Sequence, residues 1–215
     1  MNDISYQKEL EKIISNLSYR PKLLLHSCCA PCSSYCLIYL LGHFDITCFY
    51  YNPNITDKKE YDKRIGELHR LIDAINKEYA DSKVLTTPIG VIDGQYEPEE
   101  FLNRVEEAGL ASCPEGGKRC EMCFTLRLKK THDTAAAGGF EYFTTTLTIS
   151  PLKSAKLINN IGYGLAKDVL WLPSDFKKKD GYKKSIELSA KYDLYRQNYC
   201  GCEYSKADRT GDDLK

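Results

Sequence analysis

The chain has 215 residues, 42% of them apolar and 28% charged, with 30 Lys+Arg against 30 Asp+Glu. That length can bury one sizeable core, and the composition excludes wholesale disorder. No apolar run approaches the roughly 20 residues that cross a bilayer, and the polar start MNDISYQKELEKIISNL lacks the basic and apolar regions of a signal peptide, so a soluble, cytoplasmic protein is expected.

Residues 1–21 read as an N-terminal helical extension, 22–204 as a single α/β domain and 205–215 as a flexible tail. Within the domain, residues 22–27 (KLLLHS) form a short apolar strand that runs into a turn-like cysteine segment. Residues 45–51 (DITCFYY), rich in β-branched and aromatic side chains, read as a second strand. The stripe Tyr61, Ile65, Leu68, Ile72, Ile75, Tyr79 recurs at helical spacing and predicts a helix over 56–79. A strand follows over 83–89 (KVLTTPI). A helix over 97–108 has Pro98 in its first turn and Gly109 just past its end. Helices over 120–137, 154–167 and 182–192 alternate with strands over 141–148 and 169–173. Such alternation predicts a doubly wound α/β fold: a mostly parallel sheet with helices on both faces and a C-terminal helical extension. Ligands of such sheets bind beyond the carboxyl ends of the strands, which is where the cysteines after the first strand fall.

Ten cysteines in a chain without a secretory signal point to metal binding or redox chemistry rather than to a disulfide framework. They are clustered. HSCCAPCSSYC carries Cys28, Cys29, Cys32 and Cys36; CPEGGKRCEMC carries Cys113, Cys120 and Cys123; YRQNYCGC carries Cys200 and Cys202. Adjacent thiolates on a turn can ligate one metal. C-x-x-C at a helix start is a metal or redox signal, since the helix N-terminus favours thiolate. Four thiolates from Cys28, Cys29, Cys120 and Cys123 could hold structural zinc or an iron–sulfur cluster, and spacing alone does not choose. Cys200 and Cys202, separated by one glycine, can close a small, strained and labile disulfide.

Charge is unevenly spread. Residues 1–117 carry 12 basic and 18 acidic groups, and residues 118–215 carry 18 and 12. A solvated charged face would account for this, but a positive half also suits a polyanion.

Six segments resemble one family, the QueH-type epoxyqueuosine reductases. They are HSCCAPC, FYYNPNI, RCEMCFTLRL, FTTTLTISPLKS, DFKKKDGYKKSIELS and LYRQNYCGC, in the family's order between about Lys22 and Cys202. The resemblance implies a Rossmann-like (HUP-like) fold. It implies reduction of the epoxide of epoxyqueuosine, at the wobble position of tRNA, to the alkene of queuosine, without cobalamin and with electrons from an unidentified donor. It assigns a [4Fe-4S] cluster to Cys28, Cys29, Cys120 and Cys123, a redox-active dithiol to Cys200 and Cys202, and one ligand of a possible second, mononuclear iron to Cys32. Cys36, Cys48 and Cys113 are left as structural. For tRNA phosphates the expected contacts are Arg127, Lys177, Lys178, Lys179, Lys183 and Arg196. Asp175 and Asp180 read as helix caps before acids. Two rivals remain: a zinc-stabilised tRNA-binding module, and a tRNA sulfur-insertion enzyme, whose usual glycine-bearing phosphate loop is replaced here by SCCAPC.

Overall fold

A computed structural model describes residues 5–206. Residues 1–4 and the part of the expected tail from 207 onward lie outside the described residues. Five strands, β1 (Lys22–His26), β2 (Asp45–Tyr50), β3 (Gly90–Asp93), β4 (Tyr142–Thr145) and β5 (Leu170–Trp171), pair in parallel in the order β3-β2-β1-β4-β5. This is the Rossmann-like order, in which the chain reverses direction across the sheet between β1 and β4. His26, the last residue of β1, lies opposite Phe49 on one side and Thr145 on the other.

Side chains alternate between the faces of β1. Leu23 and Leu25 join Ile46, Cys48 and Tyr50 in one apolar cluster, while Leu24 joins Phe49, Phe143 and Trp171 in another. The first face is covered by α1 (Tyr6–Ser15), α2 (Ala30–Leu40), α3 (Lys58–Glu78) and α7 (Gly181–Lys191). Leu10 of α1 is fully buried there, so the N-terminal helix packs into the domain's core. On the other face lie α5 (Lys118–Ala137) and α6 (Ala155–Leu165), with α4 (Pro98–Glu107) packed on α5. A third, small cluster of Phe101, Val105, Cys123 and Cys202 ties α4 and α5 to the C-terminal segment.

Three elements differ from the sequence expectation. The segment 83–89 is a loop with most side chains exposed, and the third strand starts at Gly90. Pro88 lacks the N–H that a paired strand position uses, and Asn76 instead takes both backbone groups of Ile89, at 2.8 and 3.1 Å. The fourth strand stops at Thr145, whose Oγ1 accepts the Leu147 N–H at 3.2 Å and starts the 3-10 turn Thr146–Ile149. The segment after β1 forms α2 within four residues, with Cys29 at the N-cap position and Pro31 in the first turn.

Candidate metal and redox centre

The reversal point between β1 and β4 opens a crevice at the carboxyl edge of the sheet, where three groups of cysteines and two cations, Arg127 and Lys153, come together. Cys28 and Cys29 follow β1 directly. The Cys28 N–H donates to Thr146 Oγ1 at 3.2 Å, and Thr146 Oγ1 donates to Cys28 Sγ at 3.3 Å, so the turn after β4 seats the cysteine after β1. Cys28 Sγ lies 3.8 Å from Cys29 Sγ, and the sulfurs of Cys28, Cys29 and Cys32 all fall within 4.8 Å of one another. Hydrogen bonds from Cys29 and Cys32 hold the Cys28 thiol well below its usual range, with Arg127 and Lys153 adding positive charge. Cys29 is pushed up to about 11 by the same partnership. The trio shares one negative charge, centred on Cys28. It offers three sulfur ligands to a metal.

Cys120 and Cys123 stand on the first turns of α5 and do not join that trio. Cys120 Sγ accepts the Gly116 N–H at 3.2 Å. The expected lowering of these thiols at a helix start is not found. Burial raises Cys120 and pushes Cys123 up to about 11, outweighing the backbone N–H and Arg127. Cys28 and Cys120 pack against one apolar cluster, Cys32 against another, and Cys123 and Cys202 belong to the third. The crevice is where the three clusters meet.

Cys200 and Cys202 follow α7 on an irregular strap, their sulfurs 3.7 Å apart. The hydrogen bond from Cys202 holds the Cys200 thiol well below its usual range against the cost of burial, with Lys153 assisting, while Cys202 is raised. Gly201 between them has φ +108°, and a Cβ there would meet Ile55 at 2.7 Å. Two adjoining cavities unite the three groups. One, of about 230 Å³, is lined by Cys28, Cys32 and Cys200. The other, of about 40 Å³, is lined by Cys120, Cys123, Cys200 and Cys202. Arg127, Lys153, Leu152, Glu115 and Cys200 border both.

Arg127 departs from its expected place on the surface. It is 3% exposed. Its Nε donates to His26 Nε2 at 3.3 Å, Nη1 reaches Cys123 Sγ at 4.0 Å, and Nη2 donates to Asn52 Oδ1. Burial, with this guanidinium beside it, depresses His26 to about 3 and keeps it neutral; its Nε2 also faces Tyr51 O at 3.1 Å, and its Nδ1 meets Thr145 Oγ1 at 2.8 Å. Asn52 in turn donates to Ser27 O at 3.0 Å, tying Arg127 to the start of the cysteine turn. Among the described residues no carboxylate pairs with Arg127. A buried cation without a carboxylate is costly unless other negative charge faces it. Here the cysteine thiols around it, and Glu115 on the border of the same cavities, are the groups that can carry that charge. Lys153 repeats the pattern: burial works against its ammonium, yet the charges of Cys28, Cys200 and Cys32 raise its pKa. Cys28, Cys29 and Cys32 could hold a metal, and thiolate donors of this kind fit an iron–sulfur cluster.

The other expected RNA contacts are scattered. Lys178 and Lys183 are exposed. Lys177 is held by Asp175 at 2.6 Å and by Thr148 O at 3.4 Å, and Lys179 pairs with Glu11. Arg196 borders the larger cavity and donates to Ser189 Oγ at 2.9 Å. Neither Asp175 nor Asp180 caps a helix with its side chain. Asp180 occupies the N-cap position of α7 in the left-handed region at φ 61° and makes no capping bond, and Asp175 is the partner of Lys177.

The sequence profile of the family described as "Epoxyqueuosine reductase QueH" matches residues 23–208. The chain belongs to this family. Relatives carrying that name include one from Staphylococcus epidermidis, 42% identical over 99% of this chain and 88% of the relative. One from Streptococcus pyogenes is 41% identical over 96% of this chain and 78% of the relative. One from Thermotoga maritima is 34% identical over 87% and 91%. QueH membership covers all three cysteine groups and the residues that the sequence patterns leave unassigned: Asn52, Asn54, Arg64 and Lys153. Asn52, Asn54 and Lys153 lie within FYYNPNI and FTTTLTISPLKS, which do not single them out, and Arg64 lies outside all six segments.

Proposed function

We propose that the protein is a cytoplasmic epoxyqueuosine reductase, which removes the epoxide oxygen of epoxyqueuosine in tRNA as water and leaves the alkene of queuosine. The observation that carries this reading, beyond family membership, is the crevice between β1 and β4. Six cysteines line its two cavities, beside Arg127 and Lys153, which form no ion pair with a carboxylate among the described residues. Cys28 and Cys29 on one wall and Cys120 and Cys123 on the other are the ligands we assign to a [4Fe-4S] cluster, with Cys32 reserved for a second iron. When bound, such a cluster supplies electrons one at a time at a potential set by its ligands and surroundings.

The balance of the reaction is that of a dithiol. Conversion of an epoxide to an alkene and water takes two electrons and two protons. Cys200 and Cys202 supply both electrons: an S–S bond forms as the Cys202 thiol gives up one proton, Lys153 supplies the second proton, and an external reductant later restores the pair. The Cys200 sulfur, held as a thiolate at the boundary of both cavities, is positioned to begin this exchange. Lys153 retains its proton beside Cys28 and Cys200, so its Nζ can neutralise an oxygen anion as the C–O bond opens. Arg196, which borders the larger cavity, and the exposed Lys178 and Lys183 are assigned to tRNA phosphates.

The test is conversion of epoxyqueuosine-bearing tRNA by anaerobically purified protein, read by nucleoside mass spectrometry. The wild type is expected to give queuosine, and the Cys28→Ala and Cys200→Ser variants to leave the epoxide intact. Conversion unaffected by both substitutions would overturn the reading.

A further inference from the structure

The strap that carries Cys200 and Cys202 has little regular structure of its own, yet its sulfurs occupy a defined place. One stripe of α3 holds it. Arg70 donates to Tyr192 O at 2.8 Å and to Asp193 O at 2.6 Å, Glu67 accepts the Tyr195 N–H at 2.8 Å, and Glu60 accepts from the Tyr195 hydroxyl at 3.2 Å. These residues recur every three or four positions, so they share one helix face.

Arg64 is the member of the stripe nearest the thiols, and it is buried, only 2% exposed. Glu60 orients it through Nε at 2.7 Å. Its other two nitrogens point at the strap: Nη1 donates to Cys200 O at 3.2 Å, and Nη2 reaches Tyr199 O at 3.5 Å. The Tyr199 ring lies 5.1 Å from the guanidinium carbon. Asn54 adds a second donor to Cys200 O at 3.3 Å. The backbone of Cys200 is thus gripped from two sides, and Gly201 fits against the same guanidinium, a Cβ there lying 3.2 Å from Arg64 Nη1.

We propose that Arg64 is the positioning residue that fixes the Cys200–Gly201–Cys202 turn and so sets how readily its two thiols are oxidised to a disulfide. This rests on the reading of Cys200 and Cys202 as a redox pair. Fixing both sulfurs within 3.7 Å raises their effective concentration toward each other. Releasing the turn disfavours the disulfide, so the pair becomes harder to oxidise.

The test equilibrates anaerobically purified holoprotein with mixtures of reduced and oxidised dithiothreitol. In this exchange the Cys200–Cys202 bond forms as the probe's S–S bond breaks, and two electrons and two protons pass to the probe. Acid quenching, alkylation and mass spectrometry of the peptide bearing both cysteines give the equilibrium constant. Arg64→Met is expected to lower that constant about tenfold, a rise in potential of about 30 mV, and Arg64→Lys to recover part of it. Arg70→Met loosens the same strap at its other end and is expected to stay within about twofold of wild type. Gly201→Ala, which disturbs the seat without removing a buried charge, is expected to move the constant in the same direction as Arg64→Met. An unchanged constant in Gly201→Ala and in folded Arg64→Met, or an equal shift in Arg70→Met, overturns the inference. A wild-type pair that forms no disulfide at any ratio overturns the redox-pair reading itself, and the inference with it.

Discussion

The cysteines after β1 and the cysteines of the C-terminal strap face the same cavities but are held in opposite ways. Cys28 and Cys29 grow out of the central strand of a parallel sheet, where β1 is paired on both sides and the turn is locked by Thr146, Asn52 and the first turn of α2. Cys200 and Cys202 sit on an irregular strap, and their place depends on side chains of α3 reaching backbone carbonyls. A ligand set for a resident inorganic group requires the first kind of support, because its sulfurs must not move. A dithiol that closes and reopens requires the second. The difference agrees with the holding role proposed for one group and the exchanging role proposed for the other.

The sharpest way to break that division is to remove one sulfur from each side. Cys28→Ala is expected to lose iron, visible colour and turnover together, with activity down about a thousandfold or more, on the scale of removing a group essential to the chemistry. Cys200→Ser is expected to keep its iron and colour while turnover falls about a hundredfold. Loss of iron in Cys200→Ser, or its retention in Cys28→Ala, would dissolve the comparison. Arg127→Met comes next. It strips the crevice of its buried cation and leaves Asn52 Oδ1 without its donor, so iron occupancy should drop and the protein should lose about 1–3 kcal/mol in denaturant melts.

The fold was legible where one face of an element is buried and the other is wet. The stripe from Tyr61 to Tyr79 marks α3 for that reason, and β1 and β2 announce themselves as apolar runs between polar turns. The helix α2 was not, because it is buried nearly all round and its apolar residues therefore show no period. At the site, the cysteines were visible by their spacing, but the cations that serve them were not. Arg64 and Cys200 are 136 positions apart, so no local pattern couples them. Arg127 stands among the charges of a long helix and reads as a surface residue. Only the absence of a carboxylate around its buried guanidinium shows what it is for.

Two smaller effects sharpen the contrast between the rigid rim and the adaptable strap. His26 anchors the rim as a neutral imidazole, depressed from 6.5 to about 3 chiefly by burial and also by Arg127. The unfolded chain takes up a proton near 6.5 that the folded one refuses, so stability is full above that pH and declines as pH falls toward 3. Urea midpoints between pH 7 and pH 5 should fall in the wild type and fall less in His26→Gln. Smallest of all, Lys178→Ala and Lys183→Ala should each weaken tRNA binding a few-fold and lower the salt slope by about one. Unchanged binding in both would remove this face from the RNA path.

The central claim is that the rim cysteines hold iron while the strap cysteines exchange electrons with the epoxide. Single-turnover reaction of prereduced, anaerobic protein with epoxyqueuosine-bearing tRNA, followed jointly by nucleoside and cysteine-peptide mass spectrometry, tests it directly. The account predicts that queuosine and the Cys200–Cys202 disulfide appear in equal amounts with the iron content unchanged. Formation of queuosine while Cys200 and Cys202 remain fully reduced would contradict it.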